Sequence, residues 1–147
     1  MGTDHEATVC EFLRAFEGKQ LDAAQIDRLL DYMTTDARYH VYAWEEPFVG
    51  REAIRAELLK QAPAFSDAEI EILNVASARR TVFLERHDII TMFGKRATVA
   101  VVGVFELDAD GKITSWRDYF DSREIGAKFG QVPEVGRVGS ETGDVLT

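Results

Sequence analysis

The chain has 147 residues, of which 46% are hydrophobic and 29% are charged, a balance typical of one soluble globular domain with a single core. Its formal net charge of -9 argues against nucleic acid and anionic membrane surfaces as partners, because both attract basic proteins. The single cysteine, Cys10, cannot form an internal disulfide, and the N-terminus lacks the basic start and apolar run of a signal peptide. No apolar run reaches membrane-spanning length. These features predict a cytoplasmic protein.

Apolar spacing predicts helices in the first half of the chain, over residues 3–18, 21–33 and 51–62. We expect Gly18 to end the first helix and Asp22 to cap the second. Residues 37–50 are rich in aromatic residues and end with a proline and a glycine. This composition predicts a short strand followed by a loop.

The second half of the chain predicts strands with short connections, over residues 68–78, 81–93, 95–107 and 112–121. In the first of these strands, alternation places Ile70, Ile72 and Asn74 on one face. The short connections indicate an antiparallel meander. With the preceding helices, this predicts an α+β fold in which a curved, mixed or antiparallel sheet wraps around the N-terminal helices.

A last helix is predicted over residues 122–129. We therefore expect one domain over residues 1–130 and a C-terminal tail over residues 131–147. The tail is rich in Gly and Val and offers few anchors, so we expect it to be mobile or to pack on a partner subunit.

The segment LERHDII, residues 84–90, places charged residues in the middle of an apolar strand. Alternation puts Leu84, Arg86 and Asp88 on one face and His87 on the other. An arginine and a carboxylate two residues apart are thus directed toward what the pattern predicts to be the lining of a core.

The last predicted strand repeats this pattern, because Trp116, Asp118 and Phe120 share one face. If both faces look into one cavity, Arg86 would bridge two carboxyl groups in a dry pocket, where the two acids can hold different protonation states. From spacing alone, a structural ion pair at a sheet edge or a dimer contact is equally open. The position in mid-strand favours a functional role, because the burial of charges is costly.

The chain combines three segments, DARYHVYAWEEPFVGREAI, LERHD and VVGVFELDADGKITSWRDYFD. Together they resemble the limonene-1,2-epoxide hydrolase family, which belongs to the SnoaL-like, nuclear-transport-factor-2-like group of cone folds. The resemblance extends from about residue 29 to about residue 129. It implies an epoxide hydrolase without a cofactor, which adds water to the epoxide of a small, mainly apolar substrate and forms a vicinal diol.

The resemblance also implies a role for each matching residue. Asp118 would take a proton from water, Asp88 would protonate the epoxide oxygen, and Arg86 would orient both carboxyl groups. Tyr39 would help to hold the water. The implied substrate contacts are Trp116, Val41, Phe120 and Leu84.

Val41 is the chief departure from the family, which has an asparagine two residues after the tyrosine. Without this amide the water would lose a hydrogen bond worth about 1–3 kcal/mol. Three explanations are open: a weaker hold on the water, substitution by His40 or Tyr42 after a one-residue bulge, or a changed reaction.

Two further functions are compatible with the sequence. A SnoaL-like cyclase, isomerase or dehydratase would use Asp118 as a proton shuttle on a polycyclic or steroid-like substrate, whereas a non-catalytic small-molecule-binding module would need only the pocket. His40 and His87 lack partners at metal-ligand spacing, so no metal site is predicted. Arg117 and Tyr119 face away from Asp118, and the resemblance implies that this outer face packs on a second copy to form a homodimer.

Overall fold

The fold is seen in a computed structural model that describes residues 2–137. In this part of the chain, four helices, α1 to α4, span Gly2–Arg14, Ala23–Leu30, Arg51–Gln61 and Ser122–Phe129. Six strands, β1 to β6, span Met33–His40, Phe48–Val49, Ser66–Ala78, Thr81–Met92, Lys95–Leu107 and Ile113–Tyr119. A short 3-10 turn, Ala62–Ala64, follows α3.

The six strands form one sheet in the order β2-β1-β6-β5-β4-β3. β1 and β6 run parallel, and all other neighbours in this sheet run antiparallel. Strands β3 to β6 form the predicted meander, and the predicted α+β fold is confirmed. β1 begins at Met33, which the apolar spacing had assigned to the second helix. Met33 is buried as the prediction requires, but it belongs to a strand. For one residue at the end of an element, apolar periodicity does not distinguish a helix from a strand.

The predicted face of β3 is wrong for Asn74. The pairing of β3 with β4 shifts between Ile72 and Asn74, and such a bulge reverses the alternation of side chains beyond it. Asn74 therefore points outward and donates to Glu85 Oε1 at 2.8 Å, while Val75 packs against the core.

The helix boundaries also differ from the prediction. α1 ends at Arg14, and Gly18 instead exchanges backbone hydrogen bonds with Ala68 of β3, at 3.1 and 2.9 Å. Asp22 caps α2 as predicted, since its side chain accepts from the backbone N–H of Gln25 at 2.8 Å in a capping box. Within residues 2–137, no helix combines the length and apolar character needed to cross a bilayer.

The main core lies between the inner face of the sheet and the first three helices, which contribute residues such as Phe12, Ile26 and Leu58. Burial of this apolar surface is the principal favourable term in folding. A second cluster joins Phe129 of α4 to apolar residues of β4 and β5, such as Met92. A cavity borders both clusters.

The C-terminal segment, residues 131–137, packs onto the domain. Val135 is 6% exposed and belongs to the main core. The backbone N–H of Gly136 donates to Glu57 Oε2 at 2.7 Å, and the guanidinium of Arg137 lies 4.1 Å from the ring centre of Phe48. The expectation of few anchors is therefore wrong for these residues. The rest of the predicted tail, residues 138–147, lies outside the described residues.

Candidate active site

The register of the central strands brings Arg86 and Asp118 together. Gly103 of β5 pairs with Leu84 of β4 on one side and with Asp118 of β6 on the other. A methyl group at Gly103 would lie 2.7 Å from Phe105 Cε1, 2.9 Å from Arg86 Nη1 and 3.1 Å from Asp118 Oδ1. The edge of the Phe105 ring and the ion pair therefore occupy the space above this glycine. The sequence analysis missed Gly103, although a glycine inside a strand is a known sign of close approach by another group.

Arg86 forms bidentate contacts with both carboxyl groups. Its Nε and Nη2 donate to Asp88 Oδ1 and Oδ2 at 2.8 and 3.3 Å, and its Nη1 and Nη2 donate to Asp118 Oδ1 and Oδ2 at 3.2 and 3.0 Å. The side chains of Arg86, Asp118 and Asp88 are 4%, 12% and 23% exposed. The two strand faces that carry these three groups thus look into one largely dry site, with the planar guanidinium as the bridge.

The charges of this triad are unevenly balanced, because one guanidinium faces two carboxyl groups. Burial raises the pKa of Asp88, and the negative charge of Asp118 raises it further, while Arg86 opposes both effects. Burial by itself lowers the pKa of Arg86, but its two carboxyl partners outweigh burial and raise it above the ordinary value. The arginine is therefore a permanent cation, and Asp88 is disposed to carry a proton.

Tyr39 and Trp116 form a stacked pair beside the triad, with ring centres 4.0 Å apart and planes at 15°. Trp116 Nε1 donates to Asp118 Oδ1 at 3.1 Å. Tyr39 is 4% exposed, and burial, followed by the negative charge of Asp118, raises its pKa. The phenol consequently keeps its proton and can donate a hydrogen bond.

Two residues of α3 also reach this site. Gln61 Nε2 donates to Tyr39 Oη at 3.3 Å and to Glu57 Oε2 at 2.8 Å. Glu57 is only 3% exposed. Neither residue was among the predicted site residues. Glu57 lies three residues after Ile54 and beside Leu58, on the apolar face of the helix, where a buried carboxylate indicates a specific polar partner.

The triad lies at the junction of two compartments of one cavity. The first has a volume of about 160 Å³ and extends to the loop after α1, near Lys19 and Gln20. The second has a volume of about 140 Å³ and is lined mainly by apolar residues, including Val101 and the C-terminal residues Pro133 and Val135. Both compartments share four polar side chains, Tyr39, Gln61, Asp88 and Asp118.

The structure brings most of the predicted substrate contacts to this cavity. Trp116 lines the first compartment, and Val41 and Phe120 line the second. Leu84 does not reach it, because Leu84 is 0% exposed and packed in the main core. Its position on the correct face of β4 was predicted, but the part of that face that carries Leu84 is filled by core side chains.

His40 and Tyr42, the two open alternatives to the asparagine, lie at and just after the end of β1. His40 Nδ1 lies 2.9 Å from the backbone oxygen of Glu45, in the loop after β1. Tyr42 is buried against Phe120, with ring centres 5.5 Å apart, and lines the second compartment. The register between β1 and β6 is continuous over residues 38–40, where Tyr39 pairs with Trp116, so the pairing has no bulge at this end of β1.

The arrangement combines two carboxyl groups, a bridging guanidinium and an apolar cavity. Two carboxyl groups that share one guanidinium can hold different protonation states, which is the requirement for simultaneous acid and base catalysis.

Comparison with known proteins is consistent with this geometry. A curated relative, the epoxide hydrolase EphG of Mycobacterium tuberculosis (strain ATCC 25618 / H37Rv), is 39% identical over 66 residues, which are 45% of this chain and 44% of that protein. The match therefore covers less than half of the relative's length.

Two solved structures share the fold. One, an LEH-like epoxide hydrolase of M. tuberculosis, has a TM-score of 0.71 and 24% identity over 99% of this chain and 98% of its own. The other, SalBIII, is described as an epoxide hydrolase/cyclase-like enzyme with a role in pyran ring formation in the polyether salinomycin. It has a TM-score of 0.68 and 19% identity over 82% of this chain and 93% of its own. The SnoaL-like domain family matches residues 9–116. The chain thus belongs to the SnoaL-like domain family and has its α+β cone fold.

Proposed function

We propose that the protein is an epoxide hydrolase that needs no cofactor and adds water to a small, mainly apolar epoxide in one step, giving a vicinal diol. The observation that carries this proposal is the buried guanidinium of Arg86, which makes bidentate contacts with Asp88 and Asp118. The triad lies where the two compartments of the cavity meet, and the second compartment is mainly apolar. The epoxide hydrolases to which the chain is similar support it.

In the proposed step, Asp118 takes a proton from water while the water oxygen forms a bond to one epoxide carbon. The bond between that carbon and the epoxide oxygen breaks, and Asp88 gives its proton to the departing oxygen. The triad begins with Asp118 ionised and ends with Asp88 ionised. Its net charge is unchanged, so the dry site gains no charge during the reaction. Arg86 contacts both carboxyl groups and stabilises the negative charge on either one.

The surroundings of the triad suit a small apolar substrate. Tyr39 would donate to the attacking water, and Trp116, Val41 and Phe120 would contact the substrate. Each compartment is smaller than the about 300–1,000 Å³ of pockets for drug-sized ligands. In a small site of this kind, much of the rate enhancement comes from holding the water and the strained epoxide ring in the orientation for attack.

The test is incubation with terpene, styrene and cyclohexene epoxides in oxygen-18 water. We expect labelled diol from the wild type and a loss of about 100-fold or more with Asp118→Asn and with Asp88→Asn. Asp36→Asn, an exposed position on β1, is the matched control and should retain activity. Diol formation that survives both triad substitutions unchanged refutes the proposed roles.

A second candidate function is epoxide cyclisation, in which a hydroxyl group of the substrate replaces water as the nucleophile. The apolar second compartment, with Val41 in its wall, favours it, because a site that excludes water protects an internal attack. The fold of SalBIII also supports it. A hydroxy-epoxide substrate distinguishes the two functions: cyclisation gives a ring ether without oxygen-18, and hydrolysis gives a labelled triol.

A further inference from the structure

The amide of Gln61 is held in one orientation. Glu57 Oε2 accepts from the backbone N–H of Gly136 at 2.7 Å, so this oxygen is an acceptor, and the group that faces it at 2.8 Å must be the NH2 of Gln61. The same nitrogen donates to Tyr39 Oη at 3.3 Å. Both protons of the amide are therefore engaged, and the amide oxygen points away from Glu57.

This orientation leaves the amide oxygen for another donor. Among residues 2–137, no group donates to Gln61 Oε1. Gln61 lines both compartments of the cavity, beside Tyr39 and Asp118. Because Tyr39 Oη accepts from Gln61, its own O–H is available to donate into the cavity.

An attacking water needs a defined set of partners. Its two protons require two acceptors and one lone pair takes a donor, so that the other lone pair is directed at the substrate carbon. Asp118 is one acceptor and the Tyr39 hydroxyl is the donor. Val41, whose methyl groups line the second compartment, offers no acceptor.

We propose that Gln61 holds the attacking water through its amide oxygen, opposite Asp118, and that Glu57 is a positioning residue that fixes this amide. The inference rests on the proposed hydrolase function. It assigns the second acceptor for the water to the end of α3 rather than to β1, and it accounts for a buried carboxylate that has no part in the acid and base chemistry. The C-terminal segment contributes through the N–H of Gly136, which holds Glu57.

The first test is steady-state kinetics with the best epoxide of the panel. Gln61→Met keeps the size of the side chain and removes the acceptor for the water together with the donors to Tyr39 and Glu57, so we expect kcat to fall at least about 10- to 100-fold. KM should change by no more than about 3-fold, because the water and not the substrate loses its contact. Gln131→Met, an exposed glutamine outside the cavity, is the matched control and should leave kcat unchanged.

The second test is rescue. In the Gln61→Met background, Val41→Asn should recover at least about 5-fold in kcat, because it returns an amide to the cavity from β1. If Gln61 had only a structural role, an amide on another element would not restore kcat.

Thermal unfolding separates loss of the contact from loss of the fold. If Gln61→Met does not fold, Gln61→Asn keeps an amide but withdraws its oxygen by about 1.5 Å, and we expect a fall of about 10-fold in kcat. A folded Gln61→Met or Gln61→Asn variant with wild-type kcat overturns the inference while the hydrolase function stands. Absence of rescue by Val41→Asn overturns it as well. Absence of diol from every epoxide with the wild type overturns both proposals.

Discussion

Asp88 shares the guanidinium of Arg86 with a second carboxyl group, that of Asp118. Its pKa is raised by burial and by the charge of Asp118, against the attraction of Arg86. A carboxyl group is protonated below its pKa, and the proposed role of Asp88 requires the proton. We therefore expect kcat/KM to be retained below the raised pKa of Asp88 and to fall as the pH rises through it.

Carbon-13 NMR of the aspartate carboxyl groups measures this pKa directly. Asp118→Asn removes the negative charge that raises it, so the variant should show a lower pKa at Asp88 than the wild type. An unchanged or higher value would contradict the coupling between the two acids.

Gly103 offers a prediction that depends on space and not on charge. Its strand backbone is compatible with alanine, but the added methyl group would lie 2.7 Å from Phe105 Cε1 and 2.9 Å from Arg86 Nη1. Displacement of the Phe105 ring and of the guanidinium should lower kcat by about 10- to 100-fold. The control is Gly126→Ala in α4, where the methyl group would lie an ordinary 3.6 Å from Val132 and should stabilise the helix by about 0.5–1 kcal/mol. Wild-type kcat in Gly103→Ala would show that the ion pair tolerates displacement.

The residue patterns predicted one part of the site and missed another. Alternation along single strands correctly placed Arg86, Asp88 and Asp118 on faces that meet. Leu84 lies on the predicted face and yet contacts only the core, because a face pattern does not specify where along a strand the packing leaves a cavity. Gln61 reaches the site from a helix, and its contact with Tyr39 spans 22 positions of sequence, a distance that no local pattern encodes.

At the scale of elements, the C-terminal segment is the part of the fold that the sequence described least well. Its Gly- and Val-rich composition offers few large apolar side chains, but Val135 is buried in the wall of the second compartment. Two buried side chains, Pro133 and Val135, and a few backbone hydrogen bonds anchor a segment that its composition describes as a tail.

Val135 should therefore influence substrate choice. Val135→Ala enlarges the second compartment, so substrates with an additional methyl group on one arm should gain about 10-fold in kcat/KM relative to the smaller homologue. Val49→Ala, at a residue that is 50% exposed on β2, is the control and should leave the ratio unchanged. The measurement is competition between the two epoxides in one reaction. An unchanged ratio for Val135→Ala would place the substrate in the first compartment.

At the scale of the whole molecule, the outer face of the sheet supports the proposal of a homodimer. It exposes large apolar side chains on three neighbouring strands, including Leu73, Phe83 and Val102. Such a patch favours association. We expect light scattering to give twice the 16.5 kDa of one chain and the double substitution Phe83→Asp with Val102→Asp to give the single mass.

The control for this experiment is Val49→Asp, which introduces the same charge at an exposed position on β2, at the other edge of the sheet. It should keep the mass of the wild type. A wild type with the mass of one chain would reject the dimer.

The sequence by itself determined the class of the fold, the order of most elements and the faces of the strands that carry Arg86, Asp88 and Asp118. These depend on local periodicity and on short connections, which lie within a few residues of each other along the chain. Only the tertiary structure decided the bulge in β3, the space above Gly103, the position of Gln61 beside Tyr39 and the docking of the C-terminal segment. Each of these depends on which side chains fill the volume between distant segments, and packing of that kind is a property of the folded chain as a whole.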